Sequence, residues 1–341
     1  MLRCTRISGG PLVWVLAAVL AAMAADAAIA NCGHCGSKSD VPSCAAPLAV
    51  GNGLSTLTDA QAAGVDAAKK AKAAIGDCAP RLVLVFDSGA IEDKAKMLAG
   101  VCSVFDASLV YGCPGYSPLT QEGNTGTVGV LAIGGKIQVT TAVSDLAGGH
   151  RACGQRIGER LKAASKAKAA GRLLILFGDC HVPADDDLVK GACSVLGPGF
   201  PVVGGASSGC VYEKGKVIQK SNLGILLVGC FKCGFSMKKD NSPEGLITSA
   251  RDAFTASKGK DKAVLILAFD CGGRRGKMGA DLPKELEAMK AVAGKTPIFG
   301  FYGSGEIGHR DNKTPAWGDG YHISVCTLTP KCPHKEGGTP R

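Results

Sequence analysis

Short apolar runs separated by polar, alanine-rich stretches recur along the chain. Leu82-Val83-Leu84-Val85-Phe86-Asp87 returns as Leu173-Leu174-Ile175-Leu176-Phe177-Gly178, and again as Val264-Leu265-Ile266-Leu267-Ala268-Phe269-Asp270. Continuous branched runs of this length read as strands buried on both faces. Their phenylalanines are 91 and 92 positions apart, which marks an internal repeat. A helix rich in Ala and Lys is predicted before each strand, over Ala60 to Ile75, His150 to Ala169 and Pro243 to Ala256. A second is predicted after each, over Asp93 to Phe105, Ala184 to Leu196 and Ala280 to Val292. Two of these carry nearly the same phrase, Gly100-Val101-Cys102-Ser103 and Gly191-Ala192-Cys193-Ser194. Each unit then runs through an apolar strand into Gly112, Gly204 or Gly300, and a further strand follows near Gly126 to Ile133, Leu223 to Val228 and Tyr321 to Leu328. The pattern predicts an α/β fold of mixed sheets, built from three repeated strand-helix-strand-helix-strand-strand units.

The first 30 residues do not fit this repeat. Arg3 and Arg6 precede an apolar core from Pro11 to Ala25, and Ala28-Ile29-Ala30 offers a small-x-small cleavage site, so residues 1–30 read as a signal peptide. The expected location is therefore outside the cytoplasm, periplasmic or secreted, with no membrane span left after cleavage. Residues 31–45 form a segment containing cysteines, and 331–341 read as a disordered tail rich in Pro, Gly and charge. The formal charge of +10 is spread over helix faces. Aromatics make up 5% of the chain, too few for a base-stacking surface, so nucleic acid is not an expected partner.

The run Gly300-Phe301-Tyr302-Gly303-Ser304-Gly305-Glu306-Ile307-Gly308, with His322 beyond it, resembles the signature of the C-terminal half of FIST domains. Val50-Gly51-Asn52-Gly53-Leu54-Ser55-Thr56, leading through an Ala-rich helix to Leu82–Asp87, resembles the opening of the N-terminal half. The resemblance covers about residues 46 to 330 and divides them into an N-like region, 46–230, holding two units, and a C-like region, 231–330, holding the third. It implies a sensory module that binds a small molecule and is not an enzyme. It also implies that some relatives bind haem; no cofactor is expected here, and haem held by His322 or His309 is the alternative. Tyr321-His322-Ile323-Ser324 lacks the asparagine that the family places after its histidine. No signalling domain is visible, so the output would pass to a separate partner.

Ligands of open α/β sheets usually meet strand ends, where loops expose backbone N–H groups. The candidate ligand-binding residues are therefore Tyr302, Ser304, Glu306 and His322, the recurrent Asp87 and Asp270, and the glycines Gly112, Gly204 and Gly300. Glu306 would either hold a cationic group or orient its own loop. Gly205-Ala206-Ser207-Ser208-Gly209 matches Gly-x-Ser-x-Gly, which makes a serine hydrolase using Ser207 the enzyme alternative, although the residues that follow read as a hairpin rather than the required helix. The chain holds 16 cysteines. In an oxidising compartment these suggest disulfides, and a disulfide-braced structural exoprotein without ligand is the third reading. The close pairs Cys32/Cys35 and Cys230/Cys233 would be disulfides or, alternatively, hold zinc.

Overall fold

The computed structural model describes residues 46–331, apart from 182, 208 and 261. The signal peptide, Cys32, Cys35, Ser208 and nearly all of the tail lie outside these residues.

The first unit comprises β1 (Ala49–Ser55), α1 (Ala60–Ile75), β2 (Pro80–Asp87), α2 (Lys94–Cys102), β3 (Val110–Pro114), β4 (Ser117–Thr120) and β5 (Val128–Gly134). The second comprises β6 (Ile137–Asp145), α3 (Gly149–Ser165), β7 (Gly171–Asp179), α4 (Ala184–Leu196), β8 (Val202–Ser207), the hairpin β9 (Cys210–Glu213) and β10 (Lys216–Gln219), and β11 (Ser221–Gly229). The third comprises β12 (Phe231–Lys239), α5 (Pro243–Lys258), β13 (Leu265–Cys271), α6 (Gly272–Met278), α7 (Leu282–Ala293), β14 (Ile298–Gly303), the hairpin β15 (Glu306–Gly308) and β16 (Trp317–Asp319), and β17 (His322–Pro330).

Each unit builds one mixed sheet, and each sheet borrows its edge from another unit. The orders are β1-β5-β2-β3-β9-β10, β6-β11-β7-β8-β15-β16 and β12-β17-β13-β14-β4. The second unit thus completes the first sheet, the third completes the second, and the first completes the third. This cyclic exchange covers strand edges that would otherwise present unpaired N–H and C=O groups.

Alternation along the repeated strands decides which residues face where. Leu82, Leu84 and Phe86 share a central apolar core with Leu173, Ile175 and Phe177 and with Leu265, Leu267 and Phe269. The three repeat phenylalanines touch one another: the Phe86 centroid lies 5.3 Å from Phe177 and 6.2 Å from Phe269, which lies 5.9 Å from Phe177. The intervening residues face outward. Val83 and Val85 pack under the first unit's helices, Leu174 and Leu176 under the second's, Ile266 and Ala268 under the third's.

The shared Gly-x-Cys-Ser phrase has a packing reason. A Cβ on Gly100 would overlap the Gln61 carbonyl and one on Gly191 the Arg151 carbonyl, so α2 and α4 lie backbone-to-backbone on α1 and α3. Ser103 and Ser194 each donate back to the glycine carbonyl at 2.7 Å.

Candidate functional site

At the end of β13 the chain turns directly from Asp270-Cys271 into α6. One helical turn on, Arg274 is wholly buried. Its Nε donates to Asp270 Oδ1 at 2.7 Å, and its Nη2 donates to Glu285 Oε1 at 3.1 Å and to the Leu246 carbonyl at 2.8 Å. Its Nη1 donates to Ser249 Oγ at 3.0 Å. Burial opposes the charged guanidinium, but Asp270 and then Glu285 outweigh it and hold Arg274 above its ordinary value. Tyr302, register partner of Asp270 on the parallel neighbour β14, donates its hydroxyl to Glu285 Oε2 at 2.9 Å and accepts from Asn124 Nδ2 at 3.2 Å. Burial, then the nearby Asp270 charge, pushes the Glu285 carboxyl well up, and burial does the same to the Tyr302 hydroxyl.

Glu306 is also completely buried. Its Oε2 accepts the backbone N–H of His322 at 3.0 Å, while Oε1 has no hydrogen-bond partner. Burial pushes this carboxyl well above its usual range. Of the two roles expected for Glu306, this contact is the orienting one, since it fixes where β17 begins. The His322 imidazole is buried against Trp317, with ring centroids 5.3 Å apart, and bonds through Nδ1 to the Gly320 carbonyl at 2.8 Å. Ser304 crosses to the second sheet: its N–H donates to the Ala206 carbonyl at 3.1 Å.

Tyr302, Glu306 and His322 therefore gather at one strand end, but beneath the surface. Asp270 stands with them, as register partner of Tyr302 and of Ile323 beside His322, whereas Asp87 belongs to the first sheet. Both point outward under the helices of different sheets, and each is matched by a cation from the following helix: Lys94 Nζ stands 2.7 Å from Asp87 Oδ2, and Arg274 holds Asp270. Asp87 also accepts from the Tyr212 hydroxyl. The expectation that the three glycines sit in exposed loops is corrected as well. Gly112, Gly204 and Gly300 lie inside β3, β8 and β14, paired with Val85, Leu176 and Ala268. A Cβ on any of them would overlap the backbone of that partner.

Ser207 ends β8 and is followed by the hairpin strand β9. Its hydroxyl is buried and donates to the Gly178 and Cys210 carbonyls at 3.1 and 3.2 Å. The strand-to-helix turn that a nucleophilic serine needs is absent at this position. No disulfide joins two described residues: Cys102, Cys193, Cys230 and Cys233 carry free thiols. Among the described residues no cluster of three metal-ligating side chains forms, so Cys230 and Cys233 stand without further ligands. The two histidines expected to serve haem are engaged within the fold. His309 uses both nitrogens, toward the Thr314 carbonyl at 2.7 Å and from the Val202 N–H at 3.0 Å, and His322 is packed on Trp317.

Of the residues that hold the network together, Asp270 and Tyr302 were expected at the strand end, whereas Arg274, Glu285 and Asn124 escaped the sequence reading. Asp270 and Arg274 stand at i, i+4 across a helix start, a spacing that signals a pair. Glu285 and Asn124 carry no such local signal, because they arrive from a separate helix and from the first unit.

Three strand-exchanging α/β units around one aromatic core define a single-chain, pseudo-threefold protein with a buried polar network at one strand end. The FIST N domain matches residues 81–254 and the FIST C domain matches 217–309. The chain belongs to the FIST family, whose domains are sensory, ligand-binding modules of signal transduction. His322 lies past the matched ranges, and Glu306 lies within them. Among solved structures, the chain is similar to cyanuic acid hydrolase from A. caulinodans, with 12% identity, 84% of this chain and 99% of that chain covered, and a TM-score of 0.48. No curated protein matches the chain. No described helix is long and apolar enough to cross a membrane.

Proposed function

We propose that this chain is an extracytoplasmic sensory protein that binds a small molecule at the strand-end rim of its third unit and reports through a separate signalling partner. Its membership in the FIST family carries the reading. The export signal read from residues 1–30 supports the location, and an exported sensor would pass its output to a separate partner. The rim replaces the glycine strands as the expected contact, because those glycines are filled by neighbouring backbone. Binding rather than catalysis is favoured by the buried, carbonyl-bonded hydroxyl of Ser207.

The test is a thermal-shift screen of the mature chain against metabolite classes, run beside a chromogenic ester assay. Stabilisation by one class, without turnover, is the expected result. Ester turnover abolished by Ser207→Ala, with no ligand stabilising the fold, would transfer the chain to the hydrolases. Fractionation of cells expressing the full chain checks the location: the expected protein is outside the cytoplasm and shortened near Ala30.

A further inference from the structure

Among the described residues, three large apolar or aromatic side chains are exposed: Leu57, Tyr116 and Tyr321. Two of them meet at one place. The Tyr116 ring lies directly on Gly272, where any Cβ would overlap it, and the Tyr321 ring lies 3.1 Å from where a Cβ on Gly273 would stand. Neighbouring Cα atoms are about 3.8 Å apart, so both rings rest on one small floor at the start of α6. Tyr116 and Tyr321 stay 54% and 41% exposed.

Two further observations single out this patch. Tyr321 has φ 60°, a left-handed conformation that Gly or Asn holds with less strain, and bulky residues there cluster at functional positions. Cationic side chains from the same short helix border the rings. Lys277 Nζ is 5.0 Å from the Tyr321 centroid, and the Arg275 guanidinium is 5.9 Å from the Tyr302 centroid beneath. No described carboxylate pairs with either, and Arg275 Nε is buried without a hydrogen-bond partner. Tyr116 belongs to the first unit, brought here by the β4 exchange; its N–H donates to the Tyr302 carbonyl at 2.8 Å.

We infer that Tyr116 and Tyr321, floored by Gly272 and Gly273 and flanked by Lys277, form a binding site for a small planar anion, an aromatic carboxylate. The ring of such a ligand stacks on Tyr116, and its carboxylate meets the ammonium of Lys277, which stands over the Tyr321 ring. This rests on the ligand-binding reading above and names its place and ligand class.

The probe is 2-naphthoate, titrated calorimetrically into the full chain beside 2-naphthamide, which lacks the charge, and cyclohexanecarboxylate, which lacks the ring. Saturable one-site binding of 2-naphthoate is expected, with both comparators about tenfold weaker or worse. Lys277→Gln should weaken 2-naphthoate and leave 2-naphthamide unchanged. Tyr116→Ala and Tyr321→Ala should abolish binding, and the Phe variants should restore it. Tyr321→Gly should lose binding without a lower Tm, because it relieves the left-handed backbone; this variant separates loss of the site from loss of the fold. No saturable 2-naphthoate binding by the wild type, or binding indifferent to both tyrosines, overturns the inference. If the metabolite screen then finds another class that ignores Tyr116 and Tyr321, the sensory reading survives and this site falls alone. If the screen finds none, the sensory reading falls with it.

Discussion

Asp185, at the N-terminal turn of α4, is buried, with Oδ1 accepting the Asp186 N–H at 2.9 Å and Oδ2 unpartnered. A Cβ on Gly305 would stand 2.5 Å from that oxygen, so the third unit's loop closes over it. Burial raises its pKa from 3.8 to about 6. A carboxyl whose folded value exceeds its unfolded value contributes stability that is complete below the unfolded value and is lost as pH rises through the folded one. Asp185→Asn stays neutral at every pH. The Tm of this variant relative to the wild type should therefore climb between pH 3.8 and about 6 and level off above, as differential scanning fluorimetry would read. A flat difference across that window would mean that solvent reaches the carboxyl. Glu306, whose carboxyl burial also raises, obeys the same sign.

Among the elements, the parallel pairs β2/β3, β7/β8 and β13/β14 share one device, a glycine opposite the residue before the repeat phenylalanine. Gly112 faces Val85, Gly204 faces Leu176 and Gly300 faces Ala268. Since neighbouring backbone fills the space, a methyl group has nowhere to go. Gly112→Ala, Gly204→Ala and Gly300→Ala should each cost about 3 kcal/mol or more in urea melts. Gly89→Ala, whose Cβ would meet nothing within 4 Å, should change little. Equal effects at all four positions would show that the strands can part. The device also explains why these glycines look like corners in the sequence: a glycine after an apolar run signals a turn or a close backbone approach equally well.

For the whole molecule, strand exchange makes the units interdependent. Without the third unit, the second sheet loses β15 and β16, while β4 loses β14. The three phenylalanines would lose one member of their cluster. A chain cut after residue 230 should therefore show no cooperative thermal transition and should aggregate through exposed edges. Near-UV circular dichroism and light scattering would read this. A sharp transition from the truncated chain would show that the first two units fold by themselves.

The repeat, its strands and its helices were legible in the linear chain, because burial on both faces demands continuous apolar runs and α-helices tolerate alanine and lysine. Helices α1 and α4 match their expected limits at both ends, Ala60–Ile75 and Ala184–Leu196. The strand-end residues Tyr302, Glu306 and His322 were also legible, through resemblance to a family. Their depth was not. Whether Glu306 meets a ligand or a backbone N–H depends on how β15 lies against β8 and β17, and no local pattern records that. Among the described residues free thiols stand where disulfides were expected, for a related reason: apolar helix and strand positions accept cysteine as a small hydrophobe, and only distance decides whether two of them meet. Tertiary structure alone placed Asn124 and Tyr116 of the first unit against the third, because β4 pairs across the molecule with β14. Sequence sets the local period of apolar and polar residues. Which edge each strand finds is settled by the burial of all three sheets on one core.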